Sequence, residues 1–390
     1  MNKSFFLIIF ACLLLSGCAN TVSYPMDDGY HFETDAQYML FPSGMERVFA
    51  QSEEGYYFDM LIGSKVFMFF ADKKNMKPVP VCNKPNCLHY EETDEERRNL
   101  CTANIPGLLS RATLFFNNGQ LYIPEYNGPN EIVLMQYAPD GSSKKQFVSL
   151  GGEESFGNCM VFHRGYFYVE INSLDEEQNA VSRIWKYSVD NPGKKRECIF
   201  ETVSEGGYIM DLQAFGGRLY FFVFADGAKK LYTLELSNNK VEKICDIADV
   251  NDAGGQLSIL NNQLLFKLNH KAPDKALQEL SATMYTADLD GGNVQKWRDS
   301  FYCNFVADGQ YVYEWDDPLE GVTPCVRIYD VSGNLLVNYN LAEKHIPCMT
   351  VYATPGEHVF LFHPKSIYYF SKSEISSGII SPKLLMERPN

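Results

Sequence analysis

The chain has 390 residues, 45% of them hydrophobic, and a formal charge of −15, so it carries enough apolar side chain for one large core. A surface this acidic repels phosphate backbones and anionic headgroups, which argues against nucleic acid as a partner and against direct adhesion of the folded body to a bilayer. Beyond the N-terminal stretch, no segment approaches the roughly 20 uninterrupted apolar residues of a membrane-spanning helix.

At the N-terminus, Lys3 precedes an apolar run from Phe5 to Leu15, too short to cross a bilayer and suited to a secretion signal. Removing residues 1–17 takes away Lys3 and no acid, leaving 33 basic against 49 acidic residues. Residues 18–37 read as a polar tether and 38–390 as the folded body.

Within that body, a small or polar turn introduces an aromatic-rich strand seven times. The copies begin at Gly55, Gly119, Gly165, Gly217, Asn262, Gly309 and Gly356, at intervals of 64, 46, 52, 45, 47 and 47 residues. Each is followed by a further strand and a tight turn, as in Ile184-Trp185-Lys186-Tyr187 before Asp190-Asn191 and Met284-Tyr285-Thr286-Ala287-Asp288 before Asp290-Gly291-Gly292. Such pairs supply the positive φ angles of short hairpins. A period near 47 residues with this pattern predicts a seven-bladed β-propeller of four-stranded antiparallel blades, six or eight blades being the alternatives. Most of the tyrosines and phenylalanines then belong between blades, where flat rings fill a wedge-shaped gap.

The first interval exceeds the period, and the excess, an insert at 82–104, holds Cys82, Cys87, His89 and Cys101. Cys87 and His89 share an extended stretch, Lys84-Pro85-Asn86 can turn Cys82 back toward them, and a helix capped at Thr93-Asp94-Glu95-Glu96 can return Cys101. Three thiols and an imidazole could hold tetrahedral zinc, but envelope proteins more often oxidise such pairs; a disulfide from Cys82 or Cys87 to Cys101, a zinc site and free thiols are the readings left open, in that order. Cys159, Cys198, Cys245, Cys303, Cys325 and Cys348 fall on or beside strands and read mostly as small core residues.

In a meander blade, the links between second and third strands and those between blades emerge on one face. The insert is expected there as a blade-to-blade link, beside the long links at 172–182, 270–282 and 316–324. This face is the candidate ligand-binding rim, carrying Tyr126, Asp175, Glu176, Glu177, His270, Trp315, Asp316, Asp317 and Glu320. No catalytic residues are assigned: neither a sialidase-type Ser-x-Asp-x-Gly-x-Thr-Trp box nor a Gly-x-Ser-x-Gly elbow is present.

Leu15-Ser16-Gly17-Cys18 resembles the lipobox of bacterial lipoproteins. The resemblance implies that Cys18 is acylated and becomes the mature N-terminus, so that the partner there is the lipid bilayer. It places the body on the extracytoplasmic face of the cell membrane, or on the outer membrane of a Gram-negative cell. Met284 to Val294 is similar to the repeats of TolB-like propellers, and the whole chain resembles uncharacterised propeller lipoproteins of Firmicutes, in which a similar Cys/His block recurs. TolB itself has six blades where seven are counted here. Together these features imply a noncatalytic surface lipoprotein that binds a peptide, glycan or partner protein. A propeller hydrolase or lyase acting on an extracellular polymer, and an envelope assembly scaffold, are the alternatives.

Overall fold

The computed structural model describes residues 24–25, 27–37, 48–105, 114–128, 131–151, 155–177, 179–204, 208–225, 228–247, 256–269, 281–301, 303–316 and 323–389. They form a seven-bladed β-propeller of antiparallel meanders, with the strands of each blade in chain order from the axis outward. Blade 1 comprises β1 (Phe49–Gln51), β2 (Gly55–Ile62), β3 (Lys65–Asp72), β4 (Pro78–Pro80) and β5 (Asn104–Ile105). Blades 2 to 7 span 115–151, 155–204, 208–247, 256–301, 304–340 and 350–387. No helix among the described residues is long and apolar enough to cross a membrane.

The sequence of each strand follows its radial position. Second strands have both faces covered by neighbouring blades, so they run apolar without alternation: Leu219, Tyr220, Phe221 and Phe222 are all fully buried. Fourth strands lie at the periphery, and that of blade 2, Lys144–Gly151, is half exposed and opens on two lysines, which protects the edge from pairing with another chain.

Among the described residues each blade contributes all of its own strands, and none from one end of the chain closes the ring against the other. Side chains close it instead. Phe49 of β1 is fully buried and lies 4.7 Å from the ring of Tyr352 and 4.9 Å from that of Phe360, both in blade 7. Beside them Tyr56 Oη and His358 Nδ1 are 3.0 Å apart.

A one-residue bulge recurs where the fourth strand pairs with the third. In blades 2 to 7 it falls at Leu134/Met135, Ile184/Trp185, Leu231/Tyr232, Met284/Tyr285, Ile328/Tyr329 and Ile367/Tyr368, the same point of every repeat. Bulges sharpen local twist. The equivalent point in blade 1 lies between Phe67 and Met68. There β4 pairs with Phe69 to Ala71 and β5 with Val66 and Phe67, while Met68 bonds to both Val81 and Ala103. The Cys/His insert is therefore an enlarged bulge that divides one outer strand in two, and not the expected link between blades.

Of the segment expected to be a polar tether, residues 24–25 and 27–37 are part of the folded body. They dock on the face that carries the turns between first and second strands, opposite the face of the long links. Arg164, in that turn of blade 3, donates through its guanidinium to the Asp35 carboxylate (2.9 and 3.1 Å) and to the carbonyls of Asp27 (2.6 Å) and Gly29 (2.8 Å). His163 accepts at Nδ1 from the Ala36 N–H (3.2 Å), so its proton sits on Nε2 and is donated to Gly216 O in blade 4 (2.7 Å). Gln37 exchanges two hydrogen bonds with the backbone of Gln51 in blade 1. The neighbouring turns are shaped to receive this strap. A Cβ on Gly165 (φ +79°) would meet the Tyr24 ring at 2.2 Å, and one on Gly216 (φ +57°) would meet the Asp28 backbone at 3.0 Å.

A candidate metal centre in the outer strand of blade 1

The insert leaves the blade at Val81 and returns at Ala103, and its local structure is built to bring four side chains together. Asn86 (φ +59°) and His89 (φ +53°) adopt left-handed backbone on either side of Cys87, a conformation that costs a non-glycine residue of order 1 kcal/mol and that clusters at ligand sites. The bend turns Cys87 and His89 toward Cys82. A helix over Glu95–Asn99 then begins with the Asp94 carboxylate accepting from the Arg97 N–H at 3.1 Å; Asp94 alone makes the cap, where the sequence suggested a box over residues 93–96. The Cys101 N–H donates to Arg98 O at 3.0 Å, and this last turn delivers the thiol. Lys84 Nζ donates to Leu100 O across the mouth of the loop.

Cys82 Sγ, Cys87 Sγ, the His89 imidazole and Cys101 Sγ offer one ligand atom each, all within 4.8 Å of one another. Cys101 Sγ is 3.5 Å from His89 Nδ1. Cys101 is buried and the other three are half-buried. Tyr90 anchors the cluster to the blade, its ring 6.2 Å from those of Phe67 and Phe69, while the Thr102 hydroxyl donates to Gly141 O of blade 2 at 2.7 Å.

The electrostatics are uneven. Burial opposes the Cys82 thiolate, but hydrogen bonds from the Thr102 side chain and from the backbone of Lys84 and Thr102 outweigh it and hold Cys82 down at about 7. Burial and then the neighbouring Cys82 push Cys101 up to about 12. Burial lowers His89, so the imidazole is neutral at pH 7 and free to ligate. A cation at the centre would let all three thiols ionise together.

Outside the insert, the expected thiols divide. Cys303 and Cys348 are buried core residues as anticipated, whereas Cys198 is exposed and Cys245 and Cys325 are half-buried. Cys198 lies on a peripheral fourth strand, which accounts for its exposure.

The expected rim is only partly assembled. Tyr126 is half exposed at the end of its strand, and Glu176 is exposed in the next blade's link. Asp175 is spent on its own turn, accepting from the N–H groups of Glu177 (2.9 Å) and Asn179 (2.8 Å), and its Asn179 hydrogen bonds lower its carboxyl. Trp315 does not face a ligand: it is fully buried and donates through Nε1 to Met349 O at 2.9 Å. Asp316 is held by the Arg327 guanidinium and accepts from the Cys325 N–H at 3.1 Å. Cys18, His270, Asp317 and Glu320 lie outside the described residues. The insert does not join this rim, because it leaves mid-strand and its base packs against Gly141, in a turn on the opposite face.

The sequence reading missed the strap's berth. His163 and Arg164 meet partners 127 to 137 residues away, and no local motif marks such pairs. It also missed Glu314, which is fully buried and accepts from Arg298 Nη2 (2.5 Å) and the Ser300 hydroxyl (2.6 Å).

No protein-family model matches the chain, and no curated protein matches it in sequence. Solved structures match in fold. A puromycin hydrolase aligns with a TM-score of 0.57 at 10% identity, covering 94% of this chain and 57% of that one. An oligogalacturonate lyase from Vibrio parahaemolyticus aligns at 0.54 and 10% identity, covering 93% and 95%. TolB from Acinetobacter baumannii gives 0.40 at 15% identity over 86% and 78%, a likeness too shallow to carry an argument. Identities this low establish the β-propeller fold, and that alone.

Proposed function

We propose that this chain is a noncatalytic binding propeller, anchored to the extracytoplasmic side of a bacterial membrane through acylated Cys18, and that Cys82, Cys87, His89 and Cys101 hold a structural zinc ion. Convergence of the four ligand atoms within 4.8 Å carries the reading. A disulfide would employ two thiols and give no role to the third or to His89, whereas tetrahedral zinc employs all four groups. Four protein ligands close the coordination sphere, which is the pattern of a structural site; a catalytic zinc keeps one position for water. The ion would fasten the excursion between Val81 and Ala103, which the pairing of the outer strand with β3 does not itself hold. Recognition of a peptide, glycan or partner protein is assigned to the face of the long links, where Tyr126 and Glu176 are exposed and longer connections can vary without disturbing the blades.

The test is a native mass spectrum of the protein extracted from membranes, beside the same sample denatured without reductant. One zinc per chain in the native mass, lost on denaturation, together with a diacylglycerol on Cys18, is the expected result. A metal-free mass lighter by a pair of hydrogens would replace the zinc by a disulfide. An unmodified Cys18 would remove the anchor.

A further inference from the structure

The strap and the long links lie on opposite faces of the ring. We propose that the docked strap orients the propeller on the membrane, holding the face of the first-to-second strand turns toward the bilayer and presenting the long-link face outward. The proposal rests on the acylation of Cys18 proposed above.

Two lengths make the argument. Five residues, 19–23, separate Cys18 from Tyr24, and even fully extended the stretch reaches only about 20 Å. Tyr24 is itself fixed to the turn face: its hydroxyl donates to Asp190 Oδ2 at 3.0 Å and its ring fills the space above Gly165. Both contacts belong to turns of blade 3. The two faces of the ring are separated by the length of a strand, and the nine-residue second strand of blade 3, Tyr166–Leu174, spans about 30 Å. With the strap docked, the tether is shorter than the body is thick. The acyl chains can then enter a bilayer beneath the turn face, and the long-link face cannot reach it.

Docking is strong enough to transmit this restraint. Arg164 is buried and its guanidinium makes four hydrogen bonds to the strap, and its own N–H donates to Thr34 O at 2.7 Å. Gln37 adds two hydrogen bonds to Gln51 and Ala36 one to His163, so undocking breaks all of these contacts together. The charge of the body acts in the same direction without setting the orientation: an acidic domain is not drawn flat onto anionic lipid, so the tether decides which face is near.

The experiment uses the acylated full chain in lipid vesicles, with a donor fluorophore introduced through a noncanonical amino acid and acceptor-labelled lipid in the membrane. One probe replaces Ser237, exposed in a third-to-fourth strand turn on the turn face; the other replaces Glu176, exposed in a link on the opposite face. Energy transfer should be at least about twofold greater from position 237, given a separation of a strand length. Inserting a Gly/Ser linker of about 30 residues between Cys18 and Tyr24 should bring the two probes to equal transfer while the protein still floats with the vesicles. Equal transfer from both positions in the unextended acylated chain, or greater transfer from 176, would overturn the orientation and leave the anchor intact. A chain found without acyl groups would overturn the anchor, and the orientation with it.

Discussion

Lowering the pH from 7 to 5 should loosen the strap while the ring stays folded, because His163 is used in its neutral form. Its Nδ1 accepts from Ala36 and its Nε2–H donates to Gly216, so a second proton would place two N–H groups face to face. Complete burial depresses its pKa from 6.5 to about 4; the Asp35 carboxylate and the Gly216 carbonyl oppose that shift and Arg164 adds to it. A depressed histidine gives stability that is complete above its unfolded value and is lost as pH falls from 6.5 toward 4, since in that window the released state binds a proton that the docked state refuses. The full difference is about 3 kcal/mol, and at pH 5 about 2 kcal/mol of it is gone, roughly a thirtyfold change in the docking equilibrium. Asp27 does not contribute in this window, because its hydrogen bonds to His31 and the Gly29 N–H hold its carboxyl below the ordinary value. Hydrogen exchange of peptides covering 27–37, corrected for intrinsic rates, should lose protection between pH 7 and 5 in the natural protein. In His163→Gln, which keeps a donor and an acceptor but cannot titrate, protection should be nearly flat. The same pH dependence in both proteins would refute the role given to His163.

Three further outcomes follow from the packing. Arg164→Ala leaves Asp35 buried without its guanidinium, a loss of about 3–5 kcal/mol for a broken buried pair; limited proteolysis should cut between 24 and 37 well before any blade is cleaved, and equal resistance to the natural protein would count against the strap. Phe49→Ala removes the ring shared between blades 1 and 7 and should cost about 3–5 kcal/mol in denaturant unfolding, whereas a cost under about 1 kcal/mol would mean that the seam is held elsewhere. Cys101→Ser should abolish stoichiometric zinc and expose residues 82–105 to exchange, with blades 4 to 6 unchanged; zinc retained at one per chain would remove Cys101 from the ligand set.

The propeller was legible because its signals are local. A glycine turn, an aromatic strand and a second hairpin recur at a fixed interval, and each blade is contiguous in the chain, so counting turns counts blades. The Cys/His set was legible for the same reason, all four residues lying within 20 positions. Its place in the fold was not. A long excess between two repeats reads as a link, and only the pairing of Phe67 with Asn104 and of Phe69 with Pro80 reveals a strand interrupted at its bulge. Trp315 reads as a rim residue because acids follow it in the sequence, yet as the last residue of a second strand it takes that strand's burial. The strap was illegible for another reason. Asp27, Asp28, His31 and Asp35 give it the composition of a solvated tether, and the partners that make Asp28 and Asp35 structural lie more than a hundred residues downstream.

Among the described residues the ring is closed between blades 7 and 1 by side chains, and opening that seam would separate Phe49 from Tyr352 and Phe360. The strap bears on that seam. Gln37 holds Gln51 at the end of β1, beside the seam, while Arg164 and His163 hold the same short segment to blades 3 and 4. Blade 1 therefore cannot swing away from the axis without also breaking contacts two and three blades distant. If Cys18 carries the anchor as proposed, any pull from the membrane enters at Tyr24 and is taken first by blade 3, through Asp190 and Arg164, before it reaches Gln51. The load meets the closed part of the ring ahead of its seam, which explains how a propeller without an exchanged strand could bear a tether at the end of the chain that borders its weakest joint.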